Sequence, residues 1–199
     1  MNQNLMRLQL NDEQTKKVQD LQLPESSTLL LTGNDITVTP EQAWLHGTNL
    51  RKAEKKAPEV VRAWLASQVA RLVQFMDMNK TINTDEELQF CCRTIIRDHP
   101  TLKLEEIVAC FDMIKAGKFG KMFERLKAPE ILCYLRDYEG TVRADIMENR
   151  REMDKHHERT MRQLPWAKAL QNFMPEEDDD TEPARIKEGV GQRLKKRIG

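Results

Sequence analysis

The chain has 199 residues with 32 Lys+Arg against 32 Asp+Glu, so its formal net charge is zero and global charge argues for no partner. Only 39% of it is hydrophobic and 6% aromatic, while 32% is charged, which suits one domain of roughly 100–150 residues with attached segments. The longest purely aliphatic run is Leu29 to Leu31, the N-terminus lacks the basic and apolar regions of a secretory signal, and the four cysteines lack framework spacing. These features exclude a transmembrane span and imply a reduced, cytoplasmic protein with no membrane partner.

In chain order, Asn11 is placed to cap a short helix that runs to about Gln22 and stops at Pro24. Thr28 to Thr32 and Ile36 to Thr39 are β-prone runs around Gly33-Asn34-Asp35, a pattern that predicts a small hairpin. Thr39-Pro40-Glu41-Gln42 is a capping box with proline at the first helical position, and the short helix it opens ends at Gly47. After the basic stretch Arg51 to Lys56, a helix is expected from Pro58 through Met78. Val61, Trp64, Leu65, Leu72, Phe75 and Met76 form its inner face, with Val69 and Val73 beside them.

Thr84 to Glu87 forms a second capping box. Leu88, Cys91, Cys92, Ile95 and Ile96 follow at helical spacing up to Pro100. Thr101 is placed to cap a third helix with Leu104, Ile107, Val108, Phe111 and Ile114 inside and Gly117 as its stop. That helix is expected to show Lys103, Glu105, Glu106, Ala109 and Asp112 to solvent, a poor surface for reading DNA even though a short turn joins it to the helix before it. Pro129-Glu130 opens a fourth helix with Ile131, Leu132, Leu135 and Tyr138 inside.

Beyond Gly140 apolar residues become rare, and residues 143–162 carry six basic and five acidic side chains, which describes an exposed helix continuing outward. Pro165-Trp166 interrupts it. An acidic linker from Pro175 to Pro183 then precedes a basic end in which Arg185, Lys187, Arg193, Lys195, Lys196 and Arg197 face only Glu188. The expected architecture is a mainly α protein: a small helical bundle with a short N-terminal β-hairpin, a projecting charged helix and a disordered C-terminal tail. The divisions fall at 1–38, 39–140, 141–174 and 175–199.

Several elements between Trp64 and about Arg151 occur together in a recognisable order. They are Trp64-Leu65, the capped helix ending Ile95-Ile96, Leu104 to Ile107 before Phe111, Lys115 to Lys121, Arg125-Leu126, Ile131-Leu132 and Tyr138. In this stretch, less than half of its length, the chain resembles an uncharacterised family of small helical proteins encoded by phages and conjugative elements of gut Bacteroidetes. The resemblance implies a mobile-element origin and, from the company such genes keep, an accessory role in DNA replication. The charged helix after Gly140 and the tail have no counterpart in it.

Catalytic and metal chemistry find no motif. Ser26, Ser27 and Ser67 are the only serines, and none stands in a Gly-x-Ser-x-Gly elbow; the glycine-rich phosphate cradles are absent too. Cys91 and Cys92 are adjacent, Cys110 and Cys133 lie on other helices, and His156 and His157 point about 100° apart on a helix, so no metal or cofactor is expected. Cysteines beside apolar stripes read as core residues.

Two binding chemistries remain. Lys115, Lys118, Lys121, Arg125 and Lys127 stand opposed only by Glu124, with Phe119 and Phe123 among them. Gly117 and Gly120 let backbone amides approach a phosphate. This loop, with Lys195, Lys196 and Arg197, is the candidate nucleic-acid surface; the alternative is a glycine cap and tight turn with its phenylalanines in the core. Ile146, Met147, Met153 and Trp166 are the candidate partner-binding residues, for a replication or other phage protein or for a second copy through 141–163. The leading expectation is a non-catalytic replication accessory that docks on a replisome protein or helicase and touches nucleic acid. The alternative is a protein-binding adaptor or structural subunit without nucleic-acid contact.

Overall fold

The structure, a computed structural model, describes residues 12–76, 80–120 and 125–163. They are mainly helical. The helices are α1 (Asp12–Asp20), α2 (Glu25–Leu31), α3 (Pro40–His46), α4 (Leu50–Lys56), α5 (Pro58–Met76), α6 (Asp85–Asp98), α7 (Leu104–Lys115), α8 (Ala128–Tyr138) and α9 (Ala144–Gln163). A π turn, Glu139–Arg143, joins the last two. The strand content is one parallel pair of two-residue strands, β1 (Lys80–Thr81) and β2 (Arg125–Leu126), with Lys80 opposite Arg125.

The expected hairpin is not formed. Its first arm is helix α2, and no strand is assigned in its second. The reason is visible in the burial: Ser27, Leu30 and Leu31 turn inward at i, i+3 and i+4, the period of a helix rather than a strand. Gly33, at φ 88°, ends α2. Its N–H donates to Leu30 O and the Asn34 N–H donates to Leu29 O, both at 3.0 Å, which is a Schellman cap. The same glycine serves a hairpin turn and a helix stop, and burial of the leucines decides between them.

Other starts and stops follow their caps. Thr39 and Gln42 form the reciprocal box that opens α3. Thr84 Oγ1 accepts the Glu87 N–H at the head of α6, and the Glu87 carboxylate accepts from the Asn83 N–H. Gly117, at φ 69°, ends α7 with a second Schellman pair, from Gly117 N–H to Ile114 O and from Lys118 N–H to Met113 O. The basic stretch after Asn49 is itself a helix, α4, capped by the Asn49 side chain on Lys52 N–H. The start of α7 lies beyond Thr101, at Leu104.

Helix α7 is the centre of the fold. It packs against α2, α3, α5 and α8, while α5 also meets α4 and α6. Its solvent face was expected to include Glu105, Glu106 and Ala109; all three are buried. Phe75, expected inside, is 65% exposed at the end of α5. The core includes Trp64, Leu72, Ile95, Ile107, Phe111, Ile131 and Tyr138, and it takes in Val18, Leu30 and Leu31. The described part of that segment, residues 12–38, therefore shares one core with the helices after it instead of forming an appendage. Residues up to Arg151 belong to one compact unit and those from Glu152 to a second. The described residues 152–161 are all exposed. The expected disordered tail lies outside the described residues.

Replacing Leu30 by Ala is expected to cost about 2–5 kcal/mol, as for a fully buried leucine in one shared core. Urea unfolding of the full chain checks this. A loss well below that range would return α2 to the status of an appendage.

Candidate functional site

Three of the four described cations of the basic loop are paired within the chain. Lys115 Nζ lies 2.9 Å from Asp112, Arg125 Nε donates to Glu130 at 2.6 Å, and Lys127 Nζ lies 2.7 Å from Glu87. The Lys127 ammonium, together with the Asn83 N–H, holds the Glu87 carboxyl below its ordinary value. Lys118 is exposed and makes no ion pair with a described residue. Phe119 is half-buried and meets the Tyr134 ring at 5.6 Å between centroids, so its face is committed to the core. Gly117 and Gly120 have positive φ, and a Cβ at either would meet nothing within 4 Å. Their conformation explains the turn without requiring a ligand. Lys121, Lys195, Lys196 and Arg197 lie outside the described residues.

Of the candidate partner residues, Ile146 and Met147 are half-buried and Met153 is 63% exposed. Trp166 lies outside the described residues. Among the described residues no helix is long and apolar enough to cross a membrane, and no group of His, Cys, Asp and Glu is placed to hold a metal. Cys91, Cys92 and Cys110 are buried and Cys133 is exposed; burial pushes the Cys91 thiol up to about 12 and those of Cys92 and Cys110 further still.

Two features are not read from the sequence. The first is a buried polar network at the N-terminus of α7. Glu105, 1% exposed, accepts from Ser26 Oγ (2.8 Å), Ser27 Oγ (2.5 Å) and the Thr48 N–H (2.9 Å). The Ser27 proton is used on Glu105, so at the 2.6 Å contact between the Ser27 and Thr48 hydroxyls Thr48 is the donor. Gly47 leaves room for this carboxylate, because a Cβ there would collide with Glu105 and with the Ala43 carbonyl.

Next to it, Glu106 is fully buried. One of its oxygens accepts the Lys103 N–H at 3.0 Å; the other lies 3.5 Å from Arg143 Nε, and neither of those two atoms makes a hydrogen bond. Arg143 also donates to Thr101, to the hydroxyl at 3.1 Å and to the carbonyl at 3.2 Å. Glu139 pairs with buried His99 at 2.6 Å. The Tyr138 hydroxyl is buried without a hydrogen bond, and burial drives its pKa up. Adjacent glutamates after a cap residue read as helix-dipole partners, so nothing in their spacing signals burial.

The second feature is helix α6, which stands as a ridge between two grooves. On one side a groove of about 450 Å³ is lined by Arg62, Ala63 and Ala66 of α5 and by Asp85, Leu88, Gln89, Cys92 and Arg93 of α6. On the other, about 370 Å³ lies between Glu86, Glu87 and Phe90 and the start of α8 at Lys127, Ala128 and Pro129. Phe90 is 54% exposed at that edge. An isolated surface aromatic is unremarkable, but one standing beside a groove has the form of a binding anchor.

No protein-family model matches the chain, and neither a characterised protein nor a solved structure matches it.

Burial, reinforced by Glu139, holds the Glu106 carboxyl above its ordinary value of 4.5 against the opposing pull of Arg143 and of the Lys103 N–H. A raised folded-state pKa stabilises the fold fully below the unfolded value, and that stabilisation is lost as pH rises through the folded value. Glu106→Gln, which mimics the neutral carboxyl, is therefore expected to match the native chain most closely below pH 4.5 and to gain on it as pH rises. Denaturant titrations across that range check the sign. A stability difference independent of pH would contradict it.

Proposed function

We propose that this chain is a non-catalytic docking module whose partner is an amphipathic helix of another protein. The carrying observation is the α6 ridge with Phe90 at its edge and a groove on either side. A helix laid along such a ridge places apolar side chains over Ala63 and Ala66 on one flank and over Phe90 and Pro129 on the other. Covering an aromatic of this exposure is worth about 1.5–3 kcal/mol, enough to make it a principal contact.

Charge sets the orientation. On the α5 flank Arg62 and Arg93 outnumber Asp85, and Arg93 makes no ion pair with a described residue, so acidic side chains of the partner belong there. On the other flank Lys127 already answers Glu87, which leaves exposed Glu86 to favour a basic one. In the setting implied by the resemblance to mobile-element proteins, the partner is a protein of a phage or element replication machinery.

Nucleic-acid contact through the 115–127 loop is the second reading, and exposed Lys118 favours it. It would require phosphates to displace Asp112, Glu130 and Glu87 from three of the loop's cations. Pairs of this kind are worth at most about 1 kcal/mol, so displacement is feasible, but the local field that draws a polyanion is largely cancelled.

The test is differential capture by the full chain, with Phe90→Asp and Lys118→Ala beside the native protein. Both positions are exposed, so each change is expected to alter stability by no more than about 0.5 kcal/mol. A protein held by the native chain and by Lys118→Ala, insensitive to nuclease and lost with Phe90→Asp, is the expected result. Capture that nuclease or Lys118→Ala abolishes would overturn the reading in favour of nucleic acid. Equal capture by all three would remove the α6 ridge from the interface.

A further inference from the structure

The π turn at Glu139–Arg143 interrupts what is otherwise one helical run from Ala128 to Gln163. A π turn carries an extra residue per turn with poorer hydrogen bonding, and it persists where the surroundings hold it. Here both ends are held from the same side. Glu139 is bound by His99 at 2.6 Å and by the Thr101 hydroxyl at 3.3 Å, and Arg143 by Thr101 and by the charge of Glu106. All of these partners lie in the turn between α6 and α7 or in the first turn of α7. Gly140, in the middle, is open on every side and lowers the cost of leaving regular α geometry.

The fit is nevertheless incomplete. Glu106 Oε1 and Arg143 Nε meet only as an ion pair at 3.5 Å, without a hydrogen bond, and the buried Tyr138 hydroxyl makes no hydrogen bond either. Unmet groups of this kind each cost free energy, so they offset part of what the clasp contributes. A turn held by a few polar contacts and by Val142 against the core, and opposed by unmet groups nearby, has the form of a two-position element.

We propose that the Glu139–Arg143 turn is a register switch: clasped by His99, Thr101 and Glu106 it stays in the π form, and released it becomes α-helical, rotating the start of α9, residues 144–151, about its axis. Absorbing one residue in a helix of 3.6 residues per turn rotates the turns that directly follow it by about 100°. Met147, half-buried in the clasped form, then moves to the exposed bearing now held by Glu148, and Asp145 takes the bearing of Ile146. The switch thus changes which side chains the beginning of α9 offers to its surroundings.

Methionine oxidation of the full chain, read by peptide mass mapping, reports on this directly, because exposed Met153 on the same helix is an internal standard. Arg143→Met removes one end of the clasp at similar volume. Thr101→Val removes the shared hydroxyl without touching a charge, and serves if the first variant folds poorly. The expected result is that Met147 oxidises several-fold faster in the variants, approaching the rate of Met153, while amide hydrogen-exchange protection across 144–151 is retained. Faster oxidation with loss of that protection would mean that the helix frays instead of rotating, and would overturn the proposal. An unchanged Met147 rate in both folded variants would overturn it as well.

Discussion

A carboxylate taken out of water is costly unless donors surround it, and at the head of α7 the chain supplies them from two distant segments. Ser26 and Ser27 come from α2 and the Thr48 N–H from the link between α3 and α4; all converge on Glu105. The amide end of α7 adds its own favourable field. Beside this carboxylate the chain makes a short antiparallel bridge. The Leu50 N–H donates to Leu102 O at 2.8 Å and the Leu104 N–H to Thr48 O at 2.9 Å, while the Asn49 side chain reaches the carbonyls of Pro100 and Thr101. One point thereby fixes α2, α3, α4 and the α6–α7 turn on the central helix. With that helix fixed, the apolar faces of α5, α6 and α8 have a common surface to pack against.

The two adjacent glutamates divide the work. Glu105 is fully supplied with donors and ties α2 and the α3–α4 link to the core. Glu106 is incompletely supplied and faces the π turn. The satisfied site is rigid; the unsatisfied one lies where the helix leaves its regular path. Helix α6 meets α5 and α8, and the two grooves beside it share no side chain with the polar clasp.

Much of the fold was readable because caps and periodicity are local. Thr39 with Gln42, Thr84 before Glu87, Gly117 and the stripe from Leu88 to Ile95 each carry their meaning within a few residues. The failures share a different cause. Thr28 to Thr32 favours a strand locally, and only the burial of Leu30 and Leu31 against distant helices makes it helical. Glu105, Glu106 and Ala109 look like a solvent face because a carboxylate's burial depends on Ser26, Ser27, Thr48 and Arg143, which are remote in sequence. Phe75 follows the inward period of α5 but lies beyond the point where its neighbours cover it. The candidate loop suffers the same blindness: its lysines and arginine were visible, but apart from Asp112 and Glu130, which lie close by, the acid that answers Lys127 comes from α6, 40 residues away. The ridge on α6 escaped notice because a groove belongs to pairs of helices, and no single stripe encodes it.

Native-state hydrogen exchange on the full chain decides whether Glu105 governs the fold in this way. The Thr48 amide donates to Glu105 from a link between two short helices, a place where amides ordinarily exchange through small local openings. If the carboxylate joins the segments into one cooperative unit, Thr48 exchanges only with global unfolding, at the same free energy as the amides in the middle of α7. Exchange of Thr48 through a low-energy opening while α7 stays protected would show that the link moves freely from Glu105, and would contradict the central place given to it here.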